Sequence, residues 1–156
     1  MGEPVEKLSL RGAAELTLDD KGRMAIPARY REELMRHCGG EIVVTVDYTP
    51  GPYLFIYPRP QWETFQARLM ELTGFDDGVR MVQRRMLGYA MDTTMDGQGR
   101  ILISPTLRKE ATLDKNTVLI GQNNRFELWN ESAWQERNAE VKYSAELLDK
   151  LSSLAL

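Results

Sequence analysis

The chain has 156 residues, 42% of them apolar and 28% charged, with a formal net charge of −3 and a pI near 5.3. That size and composition suit about one globular unit and exclude wholesale disorder. One cysteine (Cys38) and one histidine (His37) exclude an internal disulfide and a four-ligand Cys/His zinc site.

The first segment, MGEPVEKLSLRG, has no hydrophobic stretch of signal-peptide type, and no apolar run reaches the ~18 residues of a membrane span. The expectation is a reduced, cytoplasmic protein with no membrane partner. An acidic sum argues against a nucleic-acid partner, but the distribution is uneven. Residues 21–36 carry five bases (Lys21, Arg23, Arg29, Arg31, Arg36) against Glu32 and Glu33, whereas residues 127–150 carry six acids against three bases. Such asymmetry lets an acidic chain present one basic face.

From Leu16 the chain predicts a strand, a tight turn at Asp19-Asp20-Lys21-Gly22 and a second strand through Met24 and Ile26. Asp at the first turn position accepts turn amides, and Gly at the fourth tolerates positive φ, the signature of a type I turn with a bulge. A short helix follows, with Pro27 in its first turn and Gly39-Gly40 as its stop. Strands are expected at 42–46 and 53–57, then helices at 61–72, ended by Gly74, and at 77–87.

The pattern then starts again. Residues 16–34 align without gaps on 93–111, and seven of those nineteen pairs are identical: Thr17/Thr94, Asp19/Asp96, Gly22/Gly99, Arg23/Arg100, Ile26/Ile103, Arg31/Arg108 and Glu33/Glu110. YLFIYPRPQW later matches RFELWNESAW, pairing Tyr57 with Trp129 and Trp62 with Trp134. The second copy has its turn at Asp96-Gly97-Gln98-Gly99, Ser104 as a helix N-cap before Pro105, and strands at 118–121 and 125–129. Helices at 132–141 and 145–151 close the chain. Boundaries of 13–60 and 89–132 for the repeats, 61–88 for connecting helices and 133–156 for the tail follow, with the repeats packing as one unit.

The repeated feature with chemical content is D-x-x-x-R, Asp19 to Arg23 and Asp96 to Arg100. Asp19, Gly22, Asp96 and Gly99 are explained by turn structure alone. Spacing leaves two readings of the arginines: an ion pair with the turn's own Asp, or a face of four guanidinium groups (Arg23, Arg31, Arg100, Arg108) suited to phosphates and guanine edges. Lys21 at the turn tip and Lys109 beside Arg108 suit phosphate contact. Arg29, in the same basic stretch, and Arg84 and Arg85, on a later helix, join them as candidate DNA contacts, although a solvated helix face is the plainer reading of the last two. Gly97-Gln98-Gly99 lacks the lysine or third glycine of a nucleotide-binding loop. Because turn chemistry accounts for the carboxylates, no enzyme, cofactor, metal or small-molecule substrate is expected. His37 and Cys38 are expected in capping or packing, the methionines as filler, and the three tryptophans between helix and sheet.

The two turns in LDDKGRMAIPARYRE and MDGQGRILISPTLRKE, with YLFIYPRPQWE, VQRRMLGYA and VLIGQNNRFELWNESAW, resemble the MraZ family of bacterial regulators, whose halves are similar to the AbrB swapped-hairpin fold. The resemblance implies an α/β (α+β) protein in which two internal repeats form a pseudo-dimeric β-barrel with flanking helices. It further implies ring-shaped homo-oligomers that bind direct repeats in double-stranded promoter DNA and regulate the division and cell-wall gene cluster from the nucleoid. Arg23 and Arg100 carry over as motif arginines, with Asp19 and Asp96 holding their turns. An antitoxin-like or scaffolding module, binding a protein through its acidic helices, is the alternative expectation.

Overall fold

Eight strands and six helices alternate along the computed structural model, which describes residues 7–74 and 77–154. The first repeat contributes β1 (Leu10–Thr17), β2 (Arg23–Ala25), α1 (Ala28–Cys38), β3 (Glu41–Thr45), β4 (Tyr53–Pro58) and α2 (Arg59–Glu71), followed by α3 (Asp77–Gly88). The second repeats the order as β5 (Met91–Thr94), β6 (Arg100–Leu102), α4 (Pro105–Glu110), β7 (Asn116–Asn123), β8 (Phe126–Asn130) and α5 (Glu131–Ala139), and α6 (Ala145–Ser152) follows.

Six strands form one antiparallel sheet in the order β1-β7-β8-β4-β3-β5, and β2 pairs with β6 in a separate ribbon. Reversing the sheet order exchanges the repeats, so the molecule carries an internal pseudo-twofold between β4 and β8. There Leu54 faces Leu128 and Ile56 faces Phe126, all buried. Each repeat lends its first strand to the other, β1 lying on β7 and β5 on β3.

The sheet does not close into the expected barrel. Leu18 N–H donates to Lys115 O and keeps β1 with β7, while Met95 N–H donates to Gly40 O and keeps β5 with β3. The outgoing strands are three residues long and run to one another instead of back along the sheet edges. A three-layer α/β arrangement results, with an open sheet covered on both faces.

One sheet face meets the ribbon, α1 and α4. Ile42, Val44, Leu54, Ile56, Leu119 and Leu128 pack there against Met24, Ile26, Ile101, Ile103, Leu34 and Leu107 in a single core. On the other face Val43, Phe55 and Tyr57 are covered by Trp62, Leu69 and Met86 of α2 and α3. β3 and β4 are thus buried on both faces and read as unbroken apolar runs.

The local signals act as their chemistry dictates, with one displacement. Gly39 ends α1 in the left-handed region at φ 63°. Ser104 caps α4 by accepting from Leu107 N–H at 3.3 Å. Pro27 stands one residue before α1 as its N-cap, because its ψ of 142° is extended, whereas Pro105 occupies the first turn of α4. Cys38 Sγ lies 3.1 Å from Leu34 O, and His37 Nε2 lies 2.9 Å from Gln61 Oε1, tying α1 to α2. Met86 and Met95 fill core, while Met81 and Met91 are exposed. No described helix is long and apolar enough to cross a membrane.

Candidate nucleic-acid interface

Each D-x-x-x-R segment builds a turn from its own atoms. Asp19 Oδ1 accepts from Lys21 N–H and Arg23 N–H, both at 2.9 Å, and Oδ2 accepts from Arg23 Nε at 3.1 Å. Backbone bonds Gly22 N–H to Asp19 O and Asp19 N–H to Arg23 O close the loop at 2.9 Å. Asp96 repeats the set, accepting at Oδ1 from Gln98 N–H and Arg100 N–H at 2.9 Å and at Oδ2 from Arg100 Nε at 2.9 Å. Gly22 and Gly99 take φ of 84° and 76°, a region that excludes most side chains. Donation from the Arg23 and Arg100 backbone amides, the largest influence, holds the Asp19 and Asp96 carboxyls below their ordinary range.

Each turn arginine is paired with its own aspartate, and the four guanidinium groups are not gathered on one face. The Asp holds Nε, which aims the guanidinium, while the terminal amino groups have no hydrogen-bond acceptor among the described residues. Ribbon register decides where they stand. Met24 and Ile101 face each other and point into the core, so the alternate positions Arg23, Ala25, Arg100 and Leu102 share the outer face. Arg23 is opposite Leu102 and Arg100 opposite Ala25, a diagonal on the order of 7–8 Å. The two arginine side chains are 36% and 34% exposed, and Leu102, opposite Arg23, is 51% exposed.

Other predicted residues divide sharply. Lys21 is exposed at the tip of the first turn, and Lys109 is exposed on α4. Arg31 and Arg108 are half-buried beside the turns rather than projecting from the ribbon face: Arg31 Nε donates to Ile26 O at 2.6 Å and Arg108 Nε to Ile103 O at 3.1 Å. Arg29 is exposed and lies over the Tyr30 ring at 4.7 Å, next to Gly12 of β1. Arg84 and Arg85 belong to α3, across the sheet from the ribbon, and are not brought to the turns. Arg85 is pinned there by Asp47 O at 2.9 Å and Glu110 Oε2 at 3.7 Å. Among the described residues no group of three or more His, Cys, Asp and Glu side chains is arranged to hold a metal ion.

Sequence reasoning missed that each turn is braced by the opposite repeat. Gly99 O accepts from Ile26 N–H and Gly22 O from Ile103 N–H, both at 2.8 Å. The available signal was the retention of arginine eight residues after each turn arginine, where most neighbours differ.

Fold and site together define a duplicated, strand-exchanged α/β protein presenting a two-stranded ribbon with paired arginines. Known proteins agree on the duplication. The family described as "MraZ protein, putative antitoxin-like" matches twice, over residues 9–85 and 86–152. "Transcriptional regulator MraZ" of Halorhodospira halophila is 44% identical over 151 residues, covering 94% of this chain and 99% of that protein. The proteins of the same name from Pseudomonas aeruginosa and Azotobacter vinelandii are 45% identical over 150 residues (94% and 99%) and 50% identical over 124 residues (80% and 81%). The chain belongs to the MraZ family.

Proposed function

We propose that this protein is a sequence-specific DNA-binding transcription regulator that reads double-stranded promoter DNA with the ribbon between its two repeats. The observation that carries the reading is the outward pair Arg23 and Arg100. Each is oriented at Nε by its own turn aspartate, and each keeps its terminal amino groups for a ligand. Planar guanidinium groups donate in the paired geometry that guanine edges and phosphates accept. A two-stranded ribbon is one of the elements a major groove admits. The relatives' name, transcriptional regulator, supports the same reading.

The finer reading is that Lys21, Lys109 and Arg29 orient the ribbon on phosphates, while Arg23 and Arg100 read bases. One acidic protomer neutralises few phosphates, so it binds weakly alone. A ring-shaped homo-oligomer meeting direct repeats spaced by about 10 bp gains effective concentration with no new contact. The target is the promoter of the division and cell-wall gene cluster, within the nucleoid.

Arg23→Ala combined with Arg100→Ala tests this in a salt series on duplexes bearing the promoter repeats or a scrambled sequence. Loss of discrimination with residual low-salt binding is expected; unchanged discrimination removes the proposal. Co-purification of a stoichiometric protein, with no DNA retention at low salt, would favour the antitoxin-like or scaffolding module instead.

A further inference from the structure

We infer that Arg31 and Arg108 are positioning residues acting across the repeats, each holding the other repeat's turn in its DNA-reading shape. The inference deepens the proposed DNA reading and rests on it for its functional consequence, though its geometry stands alone. Arg31 leaves α1 of the first repeat and lies on Gly99 of the second turn, so closely that a Cβ at residue 99 would fall 2.5 Å from Arg31 Cδ. Arg108 leaves α4 and lies on Gly22, where a Cβ would fall 2.7 Å from its Nε and 2.6 Å from Ile103 O. Arg108 also borders a hollow of about 260 Å³ with Leu18, Asp19 and Asp20 of the first turn.

Hydrogen bonds complete each clamp. Arg31 Nε holds the Ile26 carbonyl at 2.6 Å while the Ile26 N–H holds Gly99 O at 2.8 Å. Arg108 Nε holds the Ile103 carbonyl at 3.1 Å while the Ile103 N–H holds Gly22 O at 2.8 Å. The guanidinium thus fixes the strand exit that supports the opposite turn and also occupies the space above that turn's glycine. Neither arginine has a carboxylate partner among the described residues, so charge pairing does not explain its place. A flat, in-plane Nε donor does, and lysine cannot supply it.

The consequence is reciprocal: a lesion in one repeat is felt at the other repeat's turn. The test is hydrogen–deuterium exchange of the full assembled chain, comparing peptides covering 18–24 and 95–101. Arg31→Lys should accelerate exchange in 95–101 by about threefold or more and leave 18–24 at the wild-type rate; Arg108→Lys should do the reverse. If either variant folds poorly, Arg31→Gln or Arg108→Gln is read the same way. Acceleration confined to the variant's own turn, or none in either, overturns the inference whatever the DNA result.

A second readout separates positioning from phosphate contact. Arg31→Lys should reduce discrimination between repeat and scrambled duplexes about tenfold while leaving the slope of log affinity against log salt unchanged. A slope lowered by about 0.9 in Arg31→Ala and restored in Arg31→Lys would make Arg31 a phosphate contact and overturn the positioning role. Wild-type protein that fails to discriminate would remove the DNA reading alone, because the exchange test needs no DNA.

Discussion

The two repeats are nearly the same molecule at their turns and two different molecules at their outer helices. At the turns every hydrogen bond of the first copy has its counterpart in the second, and the two aspartate–arginine contacts differ by only 0.2 Å. On the far side of the sheet, α2 buries Trp62 and Leu69 against β4, whereas α5, aligned with it in sequence, buries nothing fully. Similarity is kept where the repeats grip each other, since a change in one turn must be answered by the arginine of the other copy. It is lost where each repeat faces its own surroundings.

Substitution of the aligned tryptophans breaks this comparison most strongly. Trp62 packs against Tyr57 at 5.5 Å and Phe65 at 5.7 Å and is 5% exposed. Trp134 is half-buried and meets Trp129 at 5.4 Å. Trp62→Ala should destabilise the chain by about 3–5 kcal/mol in urea unfolding. Trp134→Ala should cost about 1 kcal/mol. Equal losses would mean that α5 is as firmly seated as α2.

At the turns the comparison predicts equality. Gly22→Ala and Gly99→Ala meet both a positive φ and a side chain already in the space, so each should cost roughly 2–3 kcal/mol. Gly39→Ala, also at positive φ but with open space around it, should cost about 1 kcal/mol. A marked difference between the first two would show that one repeat braces its partner less.

A smaller effect sits at the helix starts. Ser104→Ala removes the bond to Leu107 N–H and should cost about 1 kcal/mol. Pro27→Ser gives α1 the cap it lacks but frees the chain before it, leaving a net change within about 0.5 kcal/mol.

Much of this was legible because it is local. Asp and Gly three residues apart specify their turn wherever it lies, and Ser104 and Gly39 specify helix ends. The first strand was harder. It begins at Leu10, six residues before the expected start, because Gly12 and Ala14 occupy alternate positions with Leu10 and Leu16 and hide the apolar period. A Cβ at Gly12 would meet Tyr30 Oη at 3.1 Å, so the small residue answers to a helix elsewhere in the chain. Exchange of first strands, the open sheet and the bracing arginines are pairings over long sequence separation, to which residue spacing is blind. Spacing could not place Arg84 and Arg85 relative to the turns for the same reason: a basic helix face looks alike on either side of a sheet.

The smallest effect concerns acid. Asp19 and Asp96 are exposed, and their carboxyls sit below the ordinary value because backbone amides donate to the charged form. A folded-state pKa below the unfolded one means that the stabilisation is complete above the unfolded value and is lost as pH falls through the folded one. Exchange in the two turn peptides, corrected for the intrinsic rate, should therefore stay level from pH 7 to about 4.5 and rise only below about pH 4. Asp19→Asn keeps an oxygen for the Lys21 and Arg23 amides but cannot ionise, so it should flatten the acid response of 18–24 and leave that of 95–101 intact. Flattening of both peptides would mean that the carboxylates, and not only the clamping arginines, carry structure from one repeat to the other.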